Sequence, residues 1–597
     1  MRILLIVLLF SSVAHAQDSF EARQVGRALQ ALALTPDLAP EGKVVESVHI
    51  ARSEVFVDDE PFPTFPNHLH WLTVEGTVRR EVLLAPGQPW DRVKAQETAR
   101  NLRDLRIFSV VAVVPVRALD PQKVSVLVVT RDLWSLRLEW NLQFNDDQID
   151  QLLVQITERN LLGRNKRVLG RLLVLPLTWS VGEAYVDRRL VGESFQLDQS
   201  FDAYFRREDD AFDGFTTRVE LSRPFYDLGQ ADGFRLSAQI QDRSFRQYQA
   251  GQILTYDDPD TDEEETIRRV FEAESLQVAG LMRHQRPGAF TQRLAWGLGA
   301  SRLTVAPTAE TRIPAGYRGE GYARDVLPRP LTQVFPLVAW SGFSNDFKTF
   351  QDLASFGQSE DERLGPDLAL SLSLPLEVLG STTDAVVGSA QAAYARAFAG
   401  DGLAEVAVGA GARFEDGALI DRELLLRARL ATPRAAFGRI VTRGDWLLNA
   451  EQARNAPITL GGHNGLRGYP SEFFLAFGGD RVRGNVEYRT PPFVWHYLHL
   501  GAVAFYDGGD LYDCADGCTD GGRAFTWHHA LGGGLRILFP QFNREVFRLD
   551  LGFPLEDAGF ALMGTFTISG GTGQAVPLTS REDQQFDHVV GSLYNQP

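Results

Sequence analysis

The stretch LRLEWNLQF, Leu136–Phe144, decides the architecture. Leu136, Leu138, Trp140, Leu142 and Phe144 alternate with Arg137, Glu139, Asn141 and Gln143. A period of two is the strand period, and it sorts the apolar side chains onto one face and the polar ones onto the other. In a soluble sandwich the apolar face is core. In a membrane barrel it faces lipid and the polar face lines a lumen. The alternation returns in the C-terminal third. Phe547, Leu549, Leu551 and Phe553 alternate with Arg548, Asp550 and Gly552; Phe560, Leu562, Phe566 and Ile568 share a face; Leu531, Leu535, Ile537 and Phe539 oppose Gly532, Gly534 and Arg536. Charges recurring on one face favour a wet lumen, because a close-packed core would demand a partner for each. Closing such a sheet removes the edges that lipid cannot satisfy. About twenty strand-like runs fall between Leu136 and Ile568. The runs between Trp179 and Arg207 and near Leu331 to Phe350 admit a second reading, as long loops or strand extensions.

The rest of the chain narrows the class. Arg2, the apolar run Ile3–Phe10 and the small residues Ala14-His15-Ala16 read as a secretory signal peptide over residues 1–16. No stretch approaches the roughly 20 apolar residues of a spanning helix. With 60 basic and 77 acidic residues in 597, the net charge of −17 argues against a nucleic-acid surface. Gly at 54, Phe at 38 and Met at only 3 fit strands better than helices. Cys514 and Cys518 are spaced to close a small loop disulfide, with two free thiols as the alternative and a metal pair as the weaker one. The acidic run Asp257–Glu265 reads as a solvated loop without EF-hand spacing. No phosphate loop, nucleophile elbow or zinc-protease motif is present, and His528-His529 has no partner motif, so no enzyme, cofactor or metal site is expected.

Before the barrel, residues 17–42 read as a helix and linker ending at Pro36 and Pro40. Val44–Phe56 reads as a strand and Thr77–Leu84 as a helix with Thr77 at its N-cap. Trp90–Leu105 reads as a second helix, and Ile107–Val116 and Val124–Thr130 as two strands. A small sheet of this kind offers an edge to which an extended peptide can add.

A second stretch carries the chemistry: LGGHNGLRGYP, Leu460–Pro470. Gly461, Gly462, Gly465 and Gly468 make it a tight loop. Inside a barrel, Arg467 would need acidic partners. Parity supplies them: Asn485, Glu487 and Arg489 share one face of RVRGNVEYRTPPF, and Phe505, Asp507 and Gly509 share one face of the next strand. A guanidinium binds a carboxylate through two parallel hydrogen bonds, which lysine cannot copy.

With these motifs stated, the chain resembles the BamA/TamA superfamily of outer-membrane assembly and translocation proteins, the bacterial surface antigens. The resemblance rests on ERNLLGRNKRV, GLRGYP, GNVEYRTPPF, FYDGGDLY, GGGLRILFP and FRLDLGFPL. TVRREVLLAPGQPW and NLRDLRIFSVVAV resemble a single POTRA domain. The resemblance implies a mainly β chain: a POTRA-like domain at 43–131, a sixteen-stranded antiparallel transmembrane β-barrel at 132–569 and a polar tail at 570–597. It makes Arg467, Gly468 and Tyr469 the tip of a sixth extracellular loop, anchored by Glu487 and Asp507 on strands 12 and 13. It puts Cys514 and Cys518 on the outer surface. The implied role is insertion or translocation of polypeptides, with a dedicated two-partner-type secretion pore or a passive structural barrel as alternatives. The implied partners are outer-membrane lipid, unfolded β-barrel or exported polypeptide clients and periplasmic accessory proteins. The implied place is the outer membrane, with the POTRA-like domain and the tail in the periplasm.

Overall fold

The structure is a computed structural model. It describes residues 20–57, 63–145, 148–190, 194–226, 229–249, 251–262, 264–356, 359–450, 457–462, 465–470, 473–477, 479–495, 498–512, 525–542, 546–555, 565–570 and 574–576. Residues 1–16, Cys514, Cys518 and most of the C-terminal tail lie outside the described residues.

The N-terminal unit is a three-stranded sheet. The central strand Lys123–Asp132 pairs in parallel with Val44–Ser53 and antiparallel with Phe108–Arg117. Every residue of the central strand after Lys123 is buried, because both faces of the sheet are covered. Helix Arg92–Asp104 packs Ala99 and Leu102 against Phe108, Val126 and Val128 on one face. Helix Phe20–Ala31 lays Ala28 and Leu29 over Val116, Leu127 and Val129 on the other. Asp91 starts the first of these helices, its carboxylate accepting from the amides of Val93 (2.8 Å) and Lys94 (3.2 Å). The expected cap at Thr77 is not formed. The short helix is Glu75–Arg79, Val74 occupies its N-cap, and the Thr77 hydroxyl donates instead to the carbonyl of Gly163 on a barrel turn.

Among the described residues an antiparallel barrel of 20 strands closes, not the sixteen that the family resemblance implied, and three short two-stranded ribbons lie outside it. The runs left open in the sequence are wall as far as Ser344, and the extension reading holds for Asp346–Gln351. Thr178–Asp187 and Gln196–Arg206 are full barrel strands. Leu331–Ser344 is another, continued by Asp346–Gln351 beyond a bend. The first strand, Leu136–Asn145, closes on the last, Thr565–Gly570. We call the rim beside the N-terminal domain the near end and the opposite rim the far end.

The barrel wall is inverted relative to a soluble protein. Leu138, Ile156, Leu298, Leu370, Val406 and Leu535 are exposed outward, while Arg481, Arg483, Asn485, Glu487, Arg489 and Asp507 are buried within. No helix among the described residues is long and apolar enough to cross a membrane. Among the described residues the acidic run is an exposed loop, as expected, except at one position. Asp258 is buried and accepts from the Tyr317 hydroxyl at 2.6 Å, and Asp260 pairs with Arg324 at 2.9 Å.

Candidate functional site: an arginine held in the lumen

Strand Gly479–Arg489 pairs with strand Leu498–Tyr512 so that Asn485 faces Asp507 and Glu487 faces Phe505. Side chains alternate across the wall, so residues 481, 483, 485, 487 and 489 all point inward. Two acids, an amide and an aromatic ring thus meet on one patch of lumen wall. The far-end loop before strand Gly479–Arg489 folds back onto that patch and delivers Arg467.

Arg467 makes the geometry that its planar fork allows. Its Nε donates to Asp507 Oδ2 at 2.7 Å and its Nη2 to Asp507 Oδ1 at 2.9 Å. Nη1 donates to Glu487 Oε1 at 2.6 Å. The backbone amide of Arg467 reaches Asp507 Oδ2 at 3.1 Å, and the guanidinium lies 3.6 Å over the Phe505 ring. Glu487 and Asp507 are 0% exposed, so both charges depend on these partners. Burial alone would lower the Arg467 pKa, but Asp507 and then Glu487 more than reverse this and raise it.

The anchor is a network rather than a pair. Asn485 Nδ2 donates to Asp507 Oδ1 (2.8 Å) and to the loop carbonyl of Gly465 (2.7 Å), tying acid and loop together. Glu487 Oε2 also accepts from Arg489 Nε and Nη2 at 3.0 and 2.8 Å. Arg536 pairs with Asp550 at 2.6 Å beside it. Gly468 has φ 103°, a left-handed conformation that favours glycine, and its amide donates to Thr565 Oγ1 on the last barrel strand at 2.9 Å. Tyr469 donates to the His529 carbonyl at 3.2 Å and packs on Phe474. His528 stacks on Phe474 with ring centres 4.2 Å apart, and His529 Nδ1 meets the Tyr506 hydroxyl at 2.6 Å.

The structure therefore brings together all five residues singled out in the sequence, though not on the strands that the resemblance implied. In a barrel of 20 the loop is the eighth at the far end, and Glu487 and Asp507 stand on barrel strands 16 and 17. Counted from the C-terminus their places are unchanged, so the additional strands all precede the site. Three parts of the site were missed. Glycines at 532, 534 and 552 make room: a Cβ on Gly532 would lie 2.1 Å from the Phe505 ring, one on Gly534 2.0 Å from Asp550, and one on Gly552 2.6 Å from the Gly468 amide. The inward parity of GGGLRILFP and FRLDLGFPL was the available signal. The contact to Thr565 and the aromatic set around Tyr469 leave no pattern in the sequence.

No protein-family model and no curated protein matches the chain. Among solved structures it is similar to BamA from Haemophilus ducreyi lacking POTRA domains 1–3, at 11% identity and TM-score 0.36, covering 88% of this chain and 84% of that one. It is also similar to CdiB from Acinetobacter baumannii, at 9% identity and TM-score 0.39, covering 88% and 73%. CdiB from Escherichia coli matches at 11% identity and TM-score 0.41, covering 88% and 76%.

Proposed function

We propose that the chain is an outer-membrane barrel that inserts or translocates polypeptides, with its near end and POTRA-like domain in the periplasm. The observation that carries this reading is the closing seam. Among the described residues its ladder runs from Phe566–Phe144 to Gly570–Trp140, and the ladder on the other side of the last strand from Arg548–Ser569 to Gly552–Thr565, whereas neighbouring strands in mid-barrel pair from Phe271–Pro307 through Arg286–Gln292. The last strand is thus held through five described residue pairs on each side, so the wall parts there before it parts in mid-barrel. The exposed main chain of the first strand would then template an incoming strand, by hydrogen bonds that ignore most side-chain identity. The reading assigns the chain no enzymatic step, cofactor or metal. Its partners are outer-membrane lipid, unfolded barrel or exported polypeptide clients and periplasmic accessory proteins.

The inverted wall supports the membrane half of the reading. Leu298 sits midway along strand Phe290–Pro307 and is 63% exposed. Leu298→Arg is expected to cost about 2–4 kcal/mol if that face meets lipid at mid-depth. Folding into phospholipid vesicles, followed by urea titration, measures it; a neutral effect would place the outer face in water.

Depletion of the protein in its host tests the role. A fall in many outer-membrane barrels marks a general insertase. One exported protein stranded in the periplasm marks a dedicated pore. An unchanged barrel proteome and secretome overturns the transport reading and leaves a passive barrel.

A further inference from the structure

The near mouth of the barrel is crossed by its own wall. Asp346–Gln351 and Ser359–Leu364 stay paired beyond the rim as a hairpin. Glu360 fixes its tip by accepting from the amides of Leu353 (3.2 Å), Ala354 (2.8 Å) and Ser355 (3.0 Å). The hairpin rises from barrel strands 10 and 11 but buries Phe350 and Leu353 against Leu403, Ala431 and Val441, on strands 13 to 15. Phe356 reaches further, to Leu538 and Val546 flanking the loop after strand 18, and Gly501 leaves the space for its ring. Polar bonds fasten the tip there: Arg489 donates to the Leu353 carbonyl at 2.9 Å and His499 meets that of Phe356 at 3.0 Å. A segment rooted on one side of the mouth and bonded to the other is a plug.

The N-terminal domain holds this plug from outside. Arg103, in the last turn of helix Arg92–Asp104, donates through Nε to Asp361 Oδ2 at 2.7 Å. Arg100 lies 4.4 Å over the Phe347 ring. The Arg103 guanidinium also reaches the carbonyl of Val111 at 3.5 Å, on the edge strand of the small sheet. That edge already accepts one added segment. The Asp37 amide donates to the Pro115 carbonyl and the Arg117 amide to that of Thr35, both at 2.9 Å, so Thr35–Asp37 lies along it through a single antiparallel bridge. Beyond that segment the edge borders a cleft of about 600 Å³ that Val111, Val113, Arg103, Phe347 and Asp361 line.

From this juxtaposition we infer that the hairpin is a releasable plug and Arg103 its clasp, opened by an extended polypeptide that adds to the sheet edge at Val111–Val113. The added strand takes the Val111 carbonyl as its own hydrogen-bond acceptor and fills the cleft where Arg103 stands. Strand addition and the Arg103–Asp361 bond therefore exclude one another. This deepens the translocation reading by naming the ligand class, an unfolded strand, and what its binding does.

Ser355 reports the plug, being 4% exposed when the hairpin is seated. The full chain carrying Ser355→Cys, with Cys514→Ser and Cys518→Ser, is reconstituted and its labelling by a charged maleimide is timed. Heat-modifiable gel migration verifies folding. Arg103→Ala is expected to speed labelling about tenfold, the scale of one lost charged hydrogen bond, and Asp361→Asn to do the same. A synthetic peptide copying Leu136–Asn145 is expected to speed labelling of the parent and to add nothing to Arg103→Ala. Unchanged rates in both variants overturn the clasp. A peptide without effect on the parent overturns the exclusion. Neither readout needs a client, so either can fail while the depletion experiment succeeds.

Discussion

Arg467→Ala is expected to destabilise the barrel by about 3–5 kcal/mol, the scale for removing one partner of a buried ion pair. The loss is unequal between the two acids. Glu487 keeps both bonds from Arg489, whereas the side-chain cation bound to Asp507 is Arg467 itself, leaving Asn485 as its neutral neighbour. Most of the penalty therefore comes from a buried, uncompensated carboxylate at 507. Two consequences follow from that asymmetry. Adding Asp507→Asn to Arg467→Ala should recover part of the loss, because the orphaned charge is removed. Arg467→Lys should fall between parent and alanine, since one ammonium cannot bind Asp507 through two parallel bonds and Glu487 through a third. Urea titration of the protein in detergent micelles, with heat-modifiable migration as the folded-state signal, ranks the variants. If Arg467→Ala unfolds at the parent's midpoint, the loop is not held by these charges. If the double variant is weaker than the single one, the penalty lies elsewhere.

The readable parts of this fold are those that a period or a parity fixes. Alternation over Leu136–Phe144 and Phe547–Phe553 announces two-faced strands, and the same parity aligns Asn485, Glu487 and Asp507 on one wall before any coordinates exist. The strand total is different. About twenty runs are visible, but closure depends on which runs pair around the ring, and no local pattern encodes that. The family expectation of sixteen displaced the better count. Asp346–Phe356 was hard to read for a related reason: Asp346–Gln351 carries strand character and is a strand, but the segment leading on to Phe356 leaves the wall. What draws it across the mouth is burial against Leu403, Val441 and Leu538, far away in sequence. Thr77 misled through chemistry rather than distance. Its hydroxyl suits an N-cap, yet the barrel turn at Gly163 offers it a carbonyl instead.

Gly552→Ala is expected to damage the latch without touching a charge. Gly552 lies on the penultimate barrel strand and pairs with Gly532 and Thr565 on its neighbours. An added Cβ would sit 2.6 Å from the Gly468 amide and 3.0 Å from the Arg467 carbonyl carbon. These are backbone atoms, so no side-chain rotation relieves the overlap. The loop must lift, and the Gly468 amide then leaves Thr565, 2.9 Å away in the parent. Lifting by even a fraction of an ångström also degrades the two parallel bonds to Asp507, whose strength depends on alignment. The loss should therefore approach that of Arg467→Ala, about 3 kcal/mol. Sharing one cause makes the two changes non-additive. A chain carrying both should be little weaker than Arg467→Ala alone, because a loop without its arginine has no seat left to lose. Urea midpoints of the two single variants and the double variant decide it. Additive losses would mean that Gly552→Ala disturbs the strand pairing around it and leaves Arg467 in place.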